Sequence, residues 1–234
     1  DHLSRKSLSL RYFNFLVLDE ADRMLDMGFG EQVDKIVEHL PEQRQTLLFS
    51  ATLPKEIIKL SKKYLNNPKR VEVKDNNVIK SQIKQKVVNT KTEQKYDELL
   101  DEITVRKGSI LIFVRTKYAT EKLKKRLTRD TVKSSALHGD LRQNKRNRIL
   151  EDFRNQRFRI LVATDIASRG LDVPHIGHVI NYDLPQVPED FIHRIGRTAR
   201  AGSIGEAVSF VTPSDKKMWK SIEKLLDQLK NPDK

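Results

Sequence analysis

Short apolar runs recur along the 234-residue chain, separated by stretches whose apolar residues fall three and four positions apart. Strand-length runs alternating with amphipathic helices predict an α/β fold, parallel sheets with helices on both faces. The runs are residues 13–18 (FNFLVL), 46–50 (TLLFS), 70–73, 110–114 (ILIFV), 160–163 (ILVA), 178–182 (HVINY) and 207–211 (AVSFV), with a weaker one at 134–138. Between the first two, Val33, Ile36, Val37 and Leu40 share a helical face that Pro41 closes. A second helix is expected from Pro54 to Leu65, carrying Ile57, Ile58 and Leu60. Further on, Ala119, Leu123 and Leu127 share one face, and Ile149, Leu150 and Phe153 another. A last helix over about 214–229 places Trp219, Ile222, Leu225, Leu226 and Leu229 inward.

Residues 74–82 (KDNNVIKSQ) are polar and aperiodic, so the chain divides there. The reading is a first domain over 1–74, a linker over 75–82 and a second domain over 83–234. The first has about three strands, against the usual five to six of a sheet, and is expected to be incomplete. Asp1 opens the sequence and the first methionine is Met24, so the chain is expected to be a piece of a longer one. No apolar run approaches the roughly 18 residues of a membrane span. Zero cysteines exclude disulfides, thiolate metal sites and cysteine nucleophiles, and suit a reducing compartment. A net charge of +13 points to a polyanionic partner, although solubility alone also explains a basic chain.

Five clusters could carry chemistry. FLVLDEAD, residues 15–22, puts carboxylates at the C-terminal end of a strand, where open α/β sheets bind ligands. An Asp there can hold Mg²⁺ through water and an adjacent Glu can orient an attacking water, while helix capping is the plainer use. Ser50-Ala51-Thr52 also follows a strand, and by itself reads as a turn or cap. In HRIGRTAR, His193, Arg197 and Arg200 fall on one face if the segment is helical, and no acid lies among its arginines, which favours a phosphate receptor over a solvated face. ATDIASRGLD, residues 163–172, can offer hydroxyl and N–H groups to phosphate and a carboxylate to a sugar. LHGD, residues 137–140, with Gln143, Arg146 and Arg148, could touch a nucleic-acid backbone, though an ordinary loop explains it as well. The six histidines complete no zinc site, and no G-x-x-x-x-G-K-[ST] phosphate loop occurs.

In order, DEAD (19–22), SAT (50–52), FVRT (113–116), HGD (138–140), ATDIASRGLD (163–172) and HRIGRTARAG (193–202) resemble the motifs of DEAD-box RNA helicases over essentially the whole chain. The resemblance implies two RecA-like domains, the first incomplete, and ATP-dependent RNA unwinding or ribonucleoprotein remodelling with ATP and Mg²⁺ as cofactors. It implies that Asp19 binds Mg²⁺ through water and Glu20 positions the attacking water. Asp22 would tie the acidic motif to Ser50, Thr52 and His193, linking hydrolysis to domain closure. Arg197 and Arg200 match arginine fingers, while Asp172 matches a ribose contact and Gly170 accompanies it in the ATP site. Gly139, Gln143, Arg146 and Thr164 match positions on the RNA sugar-phosphate backbone, giving largely sequence-independent recognition of single-stranded or duplex RNA.

Ala199 stands where the family usually has Gly, a change expected to be tolerated in a helix. The family's adenine-reading Gln motif, phosphate loop and first RNA-binding motifs would precede residue 1, so the isolated chain is expected to hydrolyse little ATP. A non-catalytic RNA-binding module is the alternative, and a DNA translocase of related architecture a third. The remaining expectations are a cytoplasmic monomer with no membrane association and with possible protein cofactors.

Overall fold

The structure is a computed structural model, and it describes residues 2–26, 28–50, 55–71, 82–168, 171, 173, 175–199 and 204–230. The chain divides into two compact units, Asp1–Val73 and Lys74–Lys234.

In the first unit, strands β1 (Phe15–Leu18) and β2 (Gln45–Leu48) pair in parallel, Phe15 opposite Gln45 and Leu18 opposite Leu48. Helix α1 (Ala21–Asp26) follows β1, α2 (Gly30–Val37) comes next and α3 (Lys55–Tyr64) follows β2. Leu18, Ala21, Val33, Ile57, Leu60 and Tyr64 form the core, each large side chain contributing about 1.5–3 kcal/mol on burial. Lys63 Nζ lies 2.6 Å from the Asp34 carboxylate, and Tyr64 Oη donates to it as well, tying α3 to α2.

The first apolar run is not a fully buried strand. Because strand side chains alternate, Leu16 and Leu18 face the helices while Phe15 and Val17 stay exposed on the other face of the two strands. Helix α2 stops at Val37, before the expected Leu40, and Leu40 closes a turn onto the Val37 carbonyl. The strand expected over 70–73 fails where it can be seen: Arg70 and Val71 carry no ladder, and Val71 is exposed. Residues 72–73, the linker residues 75–81 and Pro54 lie outside the described residues.

The described residues of the second unit form six parallel strands in the order β3-β8-β7-β4-β6-β5. They are β3 (Ile83–Asn89), β4 (Ser109–Phe113), β5 (Ser134–Leu137), β6 (Ile160–Ala163), β7 (Ile176–Asn181) and β8 (Gly205–Val211). Helices α4 (Lys95–Thr104), α5 (Lys117–Arg129), α6 (Gln143–Arg154), α7 (Asp165–Ser168) and α8 (Pro188–Ile195) connect them, and α9 (Lys216–Lys230) ends the chain's described part. The unbroken apolar run of β4 follows from burial on both faces. Ile110, Ile112 and Val114 join Tyr96, Leu99, Leu123 and Leu127, whereas Leu111 and Phe113 join Ile149 and Phe153. A third cluster packs Phe191 and Ile195 of α8 against Ile222 and Leu226 of α9.

Strand β3 and helix α4 were not expected from the apolar runs. β3 is an edge strand whose lysines Lys84 and Lys86 are exposed, so it shows no continuous run. In α4 the i, i+3, i+7 spacing of Tyr96, Leu99 and Ile103 is present and readable.

The chain crosses from β6 on one side of β4 to β7 on the other. A parallel sheet puts all its strand C-termini on one edge, and ligands bind where the strand order switches. Thr116, Gly139, Thr164 and Asp183 all follow their strands at that edge.

Candidate functional site

In the first unit, the Phe49 N–H donates to the Leu18 carbonyl at 2.8 Å and the Ala21 N–H to the Phe49 carbonyl at 3.0 Å. These bonds keep the segments after β1 and β2 side by side. Asp19 is exposed just past β1, and its Oδ1 accepts the Glu20 N–H at 2.8 Å. Glu20 takes φ +51°, a left-handed conformation costly for a residue with a side chain, and that Asp19 bond is a local compensation. Asp22 is buried in the first turn of α1, where a carboxylate complements the helix dipole. Its N–H donates to Ser50 Oγ at 3.3 Å, so two clusters 28 residues apart in sequence meet. Thr52 lies outside the described residues.

In the second unit, the Thr164 N–H donates to the Leu137 carbonyl at 3.3 Å, which keeps the ends of β5 and β6 adjacent. Buried Thr164 and the HGD loop therefore share one edge. Lys117 Nζ lies 2.6 Å from Asp140 Oδ2, and that hydrogen bond holds the Asp140 carboxyl below the ordinary range. His138 Nε2 lies 3.1 Å from Glu121 Oε1. These two contacts tie the first turns of α5 to the HGD loop. Gln143 opens α6, where Nε2 donates to Asn147 Oδ1 at 2.8 Å, and half-buried Arg146 follows one turn on. Thr116 caps α5 by accepting the Ala119 N–H at 3.1 Å.

The arginine cluster is not one helical face. Helix α8 ends at Ile195, and Arg197 and Thr198 sit in a turn beyond Gly196. Thr198 Oγ1 lies 2.6 Å from the Ile176 carbonyl, drawing the chain down onto β7. A Cβ on Gly205 would lie 2.4 Å from that hydroxyl, so only glycine admits Thr198 there. Ala199 takes φ +57°, which corrects the expectation of a helical, tolerant site: this is the left-handed region that favours glycine. Arg197 is buried, and its Nη1 donates to the Leu171 carbonyl at 3.3 Å. His193 is half-buried in the last turn of α8. Arg200, Gly170 and Asp172 lie outside the described residues.

Arg194 is assigned no role of its own by the sequence. It is fully buried, grips Asp165 with two nitrogens, donates to Asn181 Oδ1 at 3.2 Å and to the Asp183 carbonyl at 2.6 Å, and packs over the Phe113 ring. The Asp183 carboxylate accepts Lys95 Nζ at 2.8 Å and the Arg115 N–H at 3.0 Å. Asp165 follows Thr164 directly, and Arg194 precedes Arg197 by three residues, so one salt bridge fixes both loops. No group of three or more potential metal ligands occurs among the described residues.

Residues 1–60 match the DEAD/DEAH box helicase model and residues 94–202 the helicase conserved C-terminal domain. The ATP-dependent RNA helicase DbpA of Bacillus subtilis is 43% identical over 97% of the chain and 47% of its own length. The DEAD-box ATP-dependent RNA helicase CshA of Bacillus licheniformis is 40% identical over 99% of the chain and 49% of its own length. The chain thus spans about half the length of the curated relatives it matches. Among solved structures, S. cerevisiae Dbp5 bound to RNA and ADP BeF3 superposes with a TM-score of 0.85 at 35% identity, over 98% of the chain and 60% of that structure. A DEAD box protein from the hyperthermophile Methanococcus jannaschii gives 0.62 at 39% identity, over 97% and 61%.

Proposed function

The chain belongs to the DEAD-box helicase family, and from that premise we propose that it serves ATP-dependent RNA unwinding or ribonucleoprotein remodelling. The observation carrying this reading is the meeting of Asp22 with Ser50 at the C-terminal ends of β1 and β2, beside Asp19 and Glu20. A carboxylate next to a strand end suits a nucleotide's metal, and an adjacent carboxylate suits its attacking water.

Asp19 fits a magnesium ion held through water. It is an exposed single carboxylate with one oxygen engaged by the Glu20 N–H, and Mg²⁺ ordinarily keeps its waters and takes most ligands from substrate phosphates. When bound, the ion neutralises charge developing on the phosphate oxygens. Glu20 orients the water by accepting its hydrogen bond. Asp22, Ser50 and Thr52, with His193, transmit the state of the nucleotide, and Arg197 and Arg200 stabilise charge on the terminal phosphoryl group. Asp172 and Gly170 contact the ATP ribose side. Gly139, Gln143, Arg146 and Thr164 hold the RNA backbone, where N–H, amide and guanidinium donors read phosphate and sugar without reading sequence. A cytoplasmic setting and a monomeric state complete the proposal.

A second reading, an RNA-binding module without turnover, is favoured by one observation: Thr164 and the HGD loop share one edge within the second unit alone. Measuring ATP hydrolysis and RNA binding by a longer chain that includes these residues and the segment preceding Asp1 separates the two. RNA-stimulated hydrolysis that Glu20→Gln abolishes supports the enzyme, RNA binding without hydrolysis supports the module, and neither activity rejects both.

A further inference from the structure

Helix α5 (Lys117–Arg129) carries six basic residues and one acid, Glu121, an excess of five positive charges on 13 residues. Arg126 stacks on the Tyr96 ring and Lys117 pairs with Asp140, so these two are accounted for within the fold. Lys122, Lys125 and Arg129 are exposed, and among the described residues no carboxylate pairs with them. With Tyr118, which is 75% exposed, they recur at i, i+4, i+7 and i+11 and so form one stripe along the helix.

This arrangement is poor helix design. Like charges three and four apart disfavour the helix, and a C-terminal dipole accounts for cations only in the last turn, not for Lys122 or Lys125. An exposed aromatic ring heading a line of uncompensated cations has the makings of a strand-binding surface. The stripe starts beside the HGD loop, because Lys117 and Glu121 are bonded to Asp140 and His138. From Tyr118 to Arg129 it covers about 16 Å at ~1.5 Å per residue, the length of roughly five stacked nucleotides at ~3.4 Å each.

We propose that Tyr118, Lys122, Lys125 and Arg129 form an accessory RNA-binding stripe that extends the backbone contacts of Gly139, Gln143 and Thr164 along α5. This rests on the RNA reading above. The stripe engages phosphates through Lys122, Lys125 and Arg129 and offers the Tyr118 ring to a base or sugar. It acts only on an RNA long enough to leave the HGD loop.

The test titrates the full chain with fluorescein-labelled single-stranded RNAs of ~6 and ~16 nucleotides at several salt concentrations. The triple variant Lys122→Gln, Lys125→Gln, Arg129→Gln is compared with Lys216→Gln, Lys217→Gln, Lys220→Gln, which removes the same charge from exposed positions of α9. The expected result is a loss of at least about fivefold for the long RNA, little change for the short one, and a salt slope reduced by about two. The α9 variant keeps the parental slope. Unchanged long-RNA affinity, or an equal loss in the α9 variant, overturns the stripe. Gln143→Ala separates the two ideas: if it leaves short-RNA affinity intact while the stripe variant still loses the long RNA, the HGD-edge reading falls and the stripe stands. A parent chain that binds neither RNA overturns both.

Discussion

Arg194 Nε and Nη2 reach the two carboxylate oxygens of Asp165 at 2.6 and 2.7 Å, bridging 29 residues inside the second unit. Removing Arg194 takes the donor away from the half-buried Asp165 carboxylate, from Asn181 Oδ1 and from the Asp183 carbonyl at once. Arg194→Ala is therefore expected to destabilise the second unit by about 3–5 kcal/mol. Arg194→Lys keeps the charge but loses the fork and should recover only a fraction of that. Urea unfolding followed by the single tryptophan, Trp219, measures both; an Arg194→Ala variant as stable as the parent contradicts the role.

Ala199 occupies a left-handed backbone position that costs a residue with a Cβ about 1–2 kcal/mol, offset in part by the greater unfolded-state entropy of glycine. Ala199→Gly is expected to raise stability by about 1 kcal/mol, read as a higher urea midpoint at unchanged slope. A lower midpoint means the turn does not strain Ala199.

Much of this organisation was legible from the sequence, and its failures have physical causes. Runs buried on both faces, such as residues 110–113 of β4 and the whole of β6, stand out because every residue in them is apolar. β3 does not, since this edge strand leaves Lys84, Gln85, Lys86 and Val87 exposed in succession and so carries polar residues where a buried strand would be apolar. The arginine cluster was read as lacking an acid, which is true locally; its partner Asp165 comes from a different motif, and only the folded chain brings it near. Likewise the 100° periodicity that placed Arg197 on a helix could not register that Thr198 is pulled to the Ile176 carbonyl. The Asp22 N–H on Ser50 Oγ joins two motifs that the sequence only sets in order along the chain.

Glu102 sits buried beside Lys86 and Arg106, with Glu206 3.3 Å from Arg106. Burial alone raises its pKa, but the Lys86 hydrogen bond and the Arg106 charge outweigh this and hold the carboxyl below its ordinary value. A depressed carboxyl contributes stability above its unfolded-state pKa, and that contribution is lost as pH falls through the folded-state value. Stability of the second unit should thus fall below about pH 4, and Glu102→Gln should flatten that acid limb while lowering stability at pH 7. An acid limb identical in the two proteins contradicts the assignment.

At the alkaline end, burial pushes the Tyr182 hydroxyl up to about 12, with the Asp183 charge adding to it. Tyr96 is raised further by burial and by its bond to Asp130. A raised value gives stability that is full below the unfolded pKa near 10 and declines as pH rises toward the folded one, by about 1.4 kcal/mol per pH unit for each group. Tyrosinate absorbance should show both rings ionising late, and Tyr182→Phe should remove one late proton. If that substitution leaves the late phase intact, the buried phenol is elsewhere.

The C-terminal edge of the second sheet is proposed to hold RNA by its backbone. The most direct test is the affinity of the full chain for two single-stranded RNAs of equal length and unrelated sequence, with Gln143→Ala and Thr164→Val alongside. The account predicts equal, salt-sensitive affinities that both substitutions lower together, by about threefold to tenfold each, in line with a hydrogen bond lost from an ionic contact. Strong preference for one sequence, or affinities that neither substitution changes, would contradict it.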